Sequence, residues 1–239
     1  MSNIAVIIPA YQEEENILKL IKSILKHYKN IIVFVIDDSY DYKTSKIVRK
    51  VKKRFVYFHR KKKLGRGSAV LQGLKMASKN KKIQYFIEMD ADFSHNPKEI
   101  KKNIELFKKK KLDLLISSRY LKKSKIYNWS LFRIIFSKSA NFLAKKLLKI
   151  PVSDYTNGFR IYSKRSVNLI INKCGKIGNG FIILSEILLY IHLKNYKIQD
   201  TSTIFINRVR GGSSVNISLI LNSLIGLLKL AKIKKKILK

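Results

Sequence analysis

Carboxylates are scarce in this 239-residue chain, 15 Asp and Glu against 51 Lys and Arg, yet they gather where apolar runs end. Glu13 and Glu14 follow the run at 4–8, Asp37 and Asp38 the run at 31–36, and Asp90 and Asp92 the run at 84–89. Acids brought together repel one another unless a divalent cation, basic side chains or ligand donors offset the charge. Asp90 and Asp92, one small residue apart, can both turn towards a single site. Hard oxygen ligands suit Mg²⁺ or Mn²⁺, which in turn bridge a diphosphate. An Asp-x-Asp also occurs in ordinary acidic loops, and Asp37-Asp38 also reads as a turn plus a helix N-cap. Agreement among three strand ends is what points to a nucleotide. The four histidines (27, 59, 95, 192) do not form a metal set, and His95 is expected to cap the helix after Asp92.

Placing those acids together requires a particular order of elements. Apolar runs at 4–8, 31–36, 55–59, 84–89 and 112–117 predict strands, and amphipathic patterns at 14–28, 44–53, 67–78 and 97–110 predict helices between them. Such alternation implies an α/β fold with a largely parallel sheet covered on both faces. Ligands then bind beyond the carboxyl ends of the strands. Further on, 129–149 reads as a long helix with a strong apolar face, 159–162 as a short strand, 181–193 as a buried helix and 197–207 as extended chain. No linker or repeat interrupts the pattern, so the expectation is one domain, 1–214, with a C-terminal segment, 215–239.

The net charge of +36 suggests a polyanionic partner: nucleic acid, an anionic membrane or phosphorylated substrates. Hydrophobic residues at 46% supply enough apolar surface to exclude disorder. The single cysteine, Cys174, excludes an internal disulfide framework. No basic region precedes the first apolar run, so no secretory signal is expected. Lysines outnumber arginines 41 to 10 and spread over every helix face, which is general surface usage, whereas nucleic-acid sites interleave Arg with aromatics. Nucleic acid is therefore not the expected partner, although a basic nucleic-acid-binding module is the rival reading from another class. The 217–231 stretch is apolar with a stripe of Ser218, Asn222, Gly226 and Lys229. It is shorter and more polar than the ~20 apolar residues a membrane span needs. With five lysines after it, it reads as an amphipathic helix on an anionic membrane, or as a helix packed on the protein's own core. The expected location is cytoplasmic, peripheral on the cytoplasmic face of a membrane.

Several blocks in order carry a resemblance: IIPAYQEEEN (7–16), VIDDS (35–39), KLGRGSA (63–69), MDADFSHNP (89–97), SRY (118–120), DYTNGFRIY (154–162) and FINR (205–208). Together they closely resemble family-two glycosyltransferases, and among these the dolichol-phosphate (polyprenyl-phosphate) mannose synthases. The resemblance implies a GT-A nucleotide-sugar-binding fold and inverting, Mg²⁺- or Mn²⁺-dependent transfer of mannose from GDP-mannose to a polyprenyl phosphate. A donor such as UDP-glucose is the alternative. By motif position, Pro9, Tyr11, Glu13, Ile36 and Asp38 would hold the nucleotide, and Asp90, Ala91 and Asp92 would meet the sugar-nucleotide. Asp92 would be the principal metal ligand, with Asp90 beside it and Ser94 standing where the family often has Gln. Arg119 and Arg208 would serve the donor and acceptor phosphates, and Arg133 and Lys138 the acceptor phosphate. Asp92, Arg119 and Arg133 are thus the candidate catalytic residues, and Asp154 and Glu186 are candidates for organising the site. After Arg208 the family's phosphate-binding Lys is replaced by Ser214, for which Arg210 is the available substitute. Members of that family carry transmembrane helices or rely on a membrane-anchoring partner protein.

Overall fold

The β-branched runs that open the chain form β1 (Ile4–Ala10) and β2 (Ile31–Asp37), parallel and in register from Ile4 with Ile31 to Ala10 with Asp37. The structure, a computed structural model, describes residues 3–207 and 217–238. Three more predicted strands appear as β3 (Phe55–His59), β4 (Tyr85–Glu88) and β5 (Leu114–Ser118). After them come β6 (Lys125–Tyr127), β7 (Arg160–Ser163), β8 (Ile198–Ser202) and β9 (Ile204–Ile206). Seven strands make one sheet in the order β3-β2-β1-β4-β7-β5-β8, and β6 and β9 pair separately. All neighbours in the large sheet are parallel except those of β7, which runs antiparallel to both β4 and β5.

That reversal decides where the site can form. Because β7 runs backwards, its first residue, Arg160, lies beside Glu88 at the carboxyl end of β4. The 154–159 segment is thereby carried to the edge where the parallel strands end.

The helices are α1 (Ile17–His27), α2 (Lys43–Val48), α3 (Arg66–Ser78), α4 (Glu99–Lys109), α5 (Leu131–Leu148), α6 (Lys164–Lys173), α7 (Ile182–Leu193) and α8 (Ile217–Ile237). In α1, Ile17, Leu20, Ile21 and Ile24 are buried at helical spacing. It starts three residues later than the pattern predicts, because the Glu13 carbonyl accepts from the N–H of both Asn16 and Ile17 and turns the chain there. α2 stops at Val48, five residues early. α6 has no counterpart among the predicted elements.

The apolar face of α5 is not spent on the core: only Asn141, Ala144 and Leu148 are buried. α8 packs on α5 and α7, burying Leu227 and Leu230. The expected polar stripe of α8 is divided, with Asn222 and Lys229 exposed but Gly226 turned inwards. A Cβ at Gly226 would come within 2.6 Å of Ile182, so this glycine permits close helix contact. No helix of the described residues is long and apolar enough to cross a membrane.

Candidate active site

The loop after β4 is fixed from the backbone outwards. The Asp90 N–H donates to His95 Nδ1 at 3.0 Å. Since that nitrogen accepts, the proton sits on Nε2, which donates to Asn157 Oδ1 at 2.8 Å. His95 is buried with its ring stacked on Phe159 at 5.2 Å, so it braces the loop instead of capping a helix. The turn before α4 is made by Asn96, whose Oδ1 accepts the Lys98 N–H.

Asp92 Oδ1 accepts the Ser94 N–H at 3.0 Å, and Phe93 between them adopts φ +62°. A bulky aromatic in the left-handed region is strained by about 1–3 kcal/mol, a cost that recurs where a loop must present a ligand. Ser94 Oγ is buried and has no hydrogen-bond partner in the protein. Among the described residues no cluster of three His, Cys, Asp or Glu forms a metal centre. What the loop offers is two carboxylates and an orphaned hydroxyl, which fits a hard cation bound by one or two carboxylates and completed by substrate phosphates and water. Asp90, Asp92 and Ser94 are the residues that would hold it.

Asp37, Asp38 and Glu13 each have partners within the protein. Asp37 Oδ1 accepts from the Ser39 N–H and hydroxyl, and its Oδ2 from Tyr57. The Asp38 carboxylate takes the Arg60 guanidinium in a fork and the N–H groups of Leu64 and Gly65. It thus organises the 60–65 loop. Of the other residues assigned to the nucleotide, Pro9 and Tyr11 lie at the end of β1, and the Tyr11 ring carries Lys63 Nζ 4.2 Å from its centroid. Glu13 accepts from the Asn16 side chain. The Ile36 side chain is fully buried, leaving its main chain as what it can offer a ligand.

Facing the acids, Arg119 is buried beneath Tyr120, Trp129 and Phe205, each ring centroid 5.2–5.5 Å from its Cζ. Its Nε and Nη2 grip the two oxygens of Asp154 at 2.8 Å each. Burial alone would raise the Asp154 pKa, but the Arg119 charge and the N–H donors of Arg119 and Thr156 bring it below the ordinary carboxylate range. Arg133 stacks on Trp129, 4.4 Å from the centroid, and donates to Asn207 Oδ1 at 2.8 Å. An open cleft of about 280 Å³ is lined by Arg119, Tyr120, Leu121, Ser124, Ile126, Ile134 and Lys138. Arg160 belongs elsewhere: it is fully buried and donates to the carbonyls of Tyr155, Asn157 and Leu184. Glu186 serves another loop: it accepts from the N–H groups of Gly175 and Lys176, and burial raises its pKa. Arg208, Arg210 and Ser214 lie outside the described residues.

A mostly parallel sheet whose carboxyl edge joins an acidic loop to an arginine-lined cleft defines the class: a GT-A-like nucleotide-sugar fold. Structures of glucosyl-3-phosphoglycerate synthase from Mycobacterium tuberculosis share it. One, solved with Mn²⁺, UDP-glucose and phosphoglyceric acid, superposes with a TM-score of 0.69 over 97% of this chain and 80% of that one, at 17% identity. The chain belongs to glycosyl transferase family 2, whose model matches residues 5–170. It is 36% identical over 220 residues to a dolichol-phosphate mannosyltransferase of Pyrococcus furiosus, covering 89% of this chain and 59% of that protein. It is 30% identical over 169 residues to a polyprenol monophosphomannose synthase of Mycolicibacterium smegmatis, covering 69% of this chain and 63% of that protein. The chain thus spans about three fifths of the length of these curated relatives.

Proposed function

We propose that this chain transfers a mannosyl group from GDP-mannose to a polyprenyl phosphate, with inversion and with Mg²⁺ or Mn²⁺ bound by the Asp90–Ser94 loop. One observation carries the reading: the acidic loop and the arginine cleft are joined by a continuous run of hydrogen bonds. It passes from the Asp90 N–H to His95, from His95 to Asn157 at 2.8 Å, and from the Asn157 N–H to Asp154 at 3.0 Å, which in turn accepts from Arg119 Nη2 at 2.8 Å. A rigid link of this kind holds a donor subsite and an acceptor subsite at a fixed separation, which is what an in-line transfer needs. The names of the two relatives support the mannosyl donor and the polyprenyl acceptor.

A phosphate monoester is already anionic near neutral pH, so the acceptor needs no general base. Arg119, Arg133 and Lys138 hold its phosphate. One of its oxygens bonds to the anomeric carbon from the face opposite the nucleotide. The bond from that carbon to the diphosphate oxygen breaks, and its electron pair leaves with the diphosphate. A divalent cation held by Asp90, Asp92 and Ser94 would supply charge neutralisation for that leaving group. The test is nucleotide release across a panel of sugar nucleotides with a polyprenyl phosphate and Mn²⁺ or Mg²⁺. GDP-mannose should give the fastest turnover, and chelation should abolish it. Preference for UDP-glucose would replace the donor, and no turnover with any donor would overturn the reading.

The same helix that lines the cleft also faces outwards. Ile134 and Lys138 of α5 border the cleft, while Leu131, Phe132, Ile135, Phe136, Phe142 and Leu143 are exposed, Phe132 by 79%. α8 adds exposed Leu221, Leu224, Ile225 and Leu228 beside them, with exposed Lys145, Lys146, Lys229, Lys232, Lys235 and Lys236 on the two helices. An apolar face with lysines around it suits an anionic leaflet, as on the cytoplasmic face of membranes. The prenyl chain then stays in lipid while its phosphate reaches Arg119. Replacing Phe132, Phe136 and Phe142 together by Ser should release the protein from phosphatidylserine-containing vesicles in a flotation assay, with at least a fivefold loss of the bound fraction. These side chains are exposed, so the thermal midpoint should hold; unchanged flotation would sink the membrane face.

A further inference from the structure

Arg66 stands at the first position of α3, where a cation opposes the helix dipole and no acidic residue in the first turn offsets it. Its side chain is only 14% exposed. Nε and Nη2 both donate to Asp90 Oδ1, at 3.0 and 2.7 Å, and Nη1 donates to Glu88 Oε1 at 2.7 Å. Glu88 is fully buried, and its other oxygen accepts from the Tyr162 hydroxyl at 2.6 Å. The guanidinium therefore rests against a buried carboxylate that is itself hydrogen-bonded. The Phe181 ring covers it, with the centroid 5.6 Å from Cζ. The main chain of Gly158 passes so close that a Cβ there would stand 1.9 Å from Nη2.

Resting on the function proposed above, we infer that Arg66 is a positioning residue for donor binding: it fixes the Asp90 carboxylate towards the nucleotide sugar, and Gly158 leaves the room it needs. The Asp90 main chain is held by His95 and one carboxylate oxygen by two Arg66 donors, so the side chain is set before any ligand arrives. Such preorganisation removes ordering cost at the moment of binding. Lysine cannot reproduce it, because one ammonium does not reach two carboxylates with a planar fork.

A purely structural reading exists: Arg66 would only neutralise Glu88. The double variant Arg66→Met/Glu88→Gln separates the two, since it removes both charges and keeps a side-chain carbonyl able to accept from the Tyr162 hydroxyl. Binding of GDP with Mn²⁺ should be measured by calorimetry, alongside steady-state constants and the thermal midpoint. The double variant should keep its midpoint within a few degrees, yet bind GDP–Mn²⁺ about tenfold more weakly. Its KM for GDP-mannose should rise by a similar factor while the KM for polyprenyl phosphate stays within twofold. Arg66→Lys and Gly158→Ala should shift the same constants in the same direction. Wild-type binding and donor KM in the folded double variant would overturn the inference alone. Wild-type protein that binds no nucleoside diphosphate and turns over no donor would overturn the proposed function with it.

Discussion

Asp92→Asn should lower kcat/KM for sugar-nucleotide turnover by about 10²–10³-fold, the scale of removing one preorganised group that stabilises transition-state charge. Asparagine is the informative replacement. Its side-chain oxygen can still accept from the Ser94 N–H, so the turn that forces Phe93 to φ +62° survives and the loop keeps its shape. What disappears is the negative charge beside the orphaned Ser94 hydroxyl, and with it the hard anionic ligand for a divalent cation. The thermal midpoint in the absence of metal should therefore change little, while the stabilisation that Mn²⁺ and GDP together confer on the wild type should vanish. Nucleotide release by Asp92→Asn within a few-fold of wild type would remove Asp92 from the metal site. Asp92→Ala should be equally inactive but less stable, because it also loses the turn.

The site is readable from the sequence where the signal is local. Parallel strands buried on both faces are continuous apolar runs, so β1, β2, β4 and β5 can be placed, along with the acids that follow three of them. Non-local features are hidden. Nothing in the RIYS segment shows that it runs antiparallel between β4 and β5, although this reversal is what brings Asn157 to His95 and Asp154 to Arg119. The polar neighbours of His95 suggest a helix cap, but its ring is stacked on Phe159, 64 residues away. Arg60, the partner of Asp38, lies outside every quoted block, and Arg66 lies inside KLGRGSA without the sequence showing that it pairs with Glu88 and Asp90. A usable signal is nonetheless present. In a chain with 41 Lys and 10 Arg, the arginines at 60, 66 and 119 each meet carboxylates through two or more guanidinium nitrogens, which a point charge cannot copy. The exposed face of α5 marks where periodicity stops: it indicates that a stripe is apolar, but not what covers it.

The largest effect on stability should come from Asp154→Asn. Asp154 is fully buried, accepts three N–H bonds from Arg119, counting its main chain, and is backed by the N–H groups of Thr156 and Asn157. Removing its charge leaves the Arg119 guanidinium buried under three aromatic rings without a counter-ion, and breaking a buried pair in this way costs about 3–5 kcal/mol. For a chain of this length that corresponds to a fall of roughly 10 °C in thermal midpoint. The pH dependence has a definite sign. The Asp154 pKa is lower in the folded protein than in the unfolded chain, so the unfolded chain binds a proton first as pH falls. The stabilisation is complete above the ordinary carboxylate range and is lost as pH drops through and below it. Wild type and Asp154→Asn should therefore differ most near neutrality and converge in acid. Activity should fall further than stability accounts for, because Asp154 is also the joint between the acidic loop and the cleft proposed to take the acceptor. A midpoint within about 2–3 °C of wild type at neutral pH, or a gap that widens in acid, would show that Arg119 does not depend on Asp154 for its charge balance.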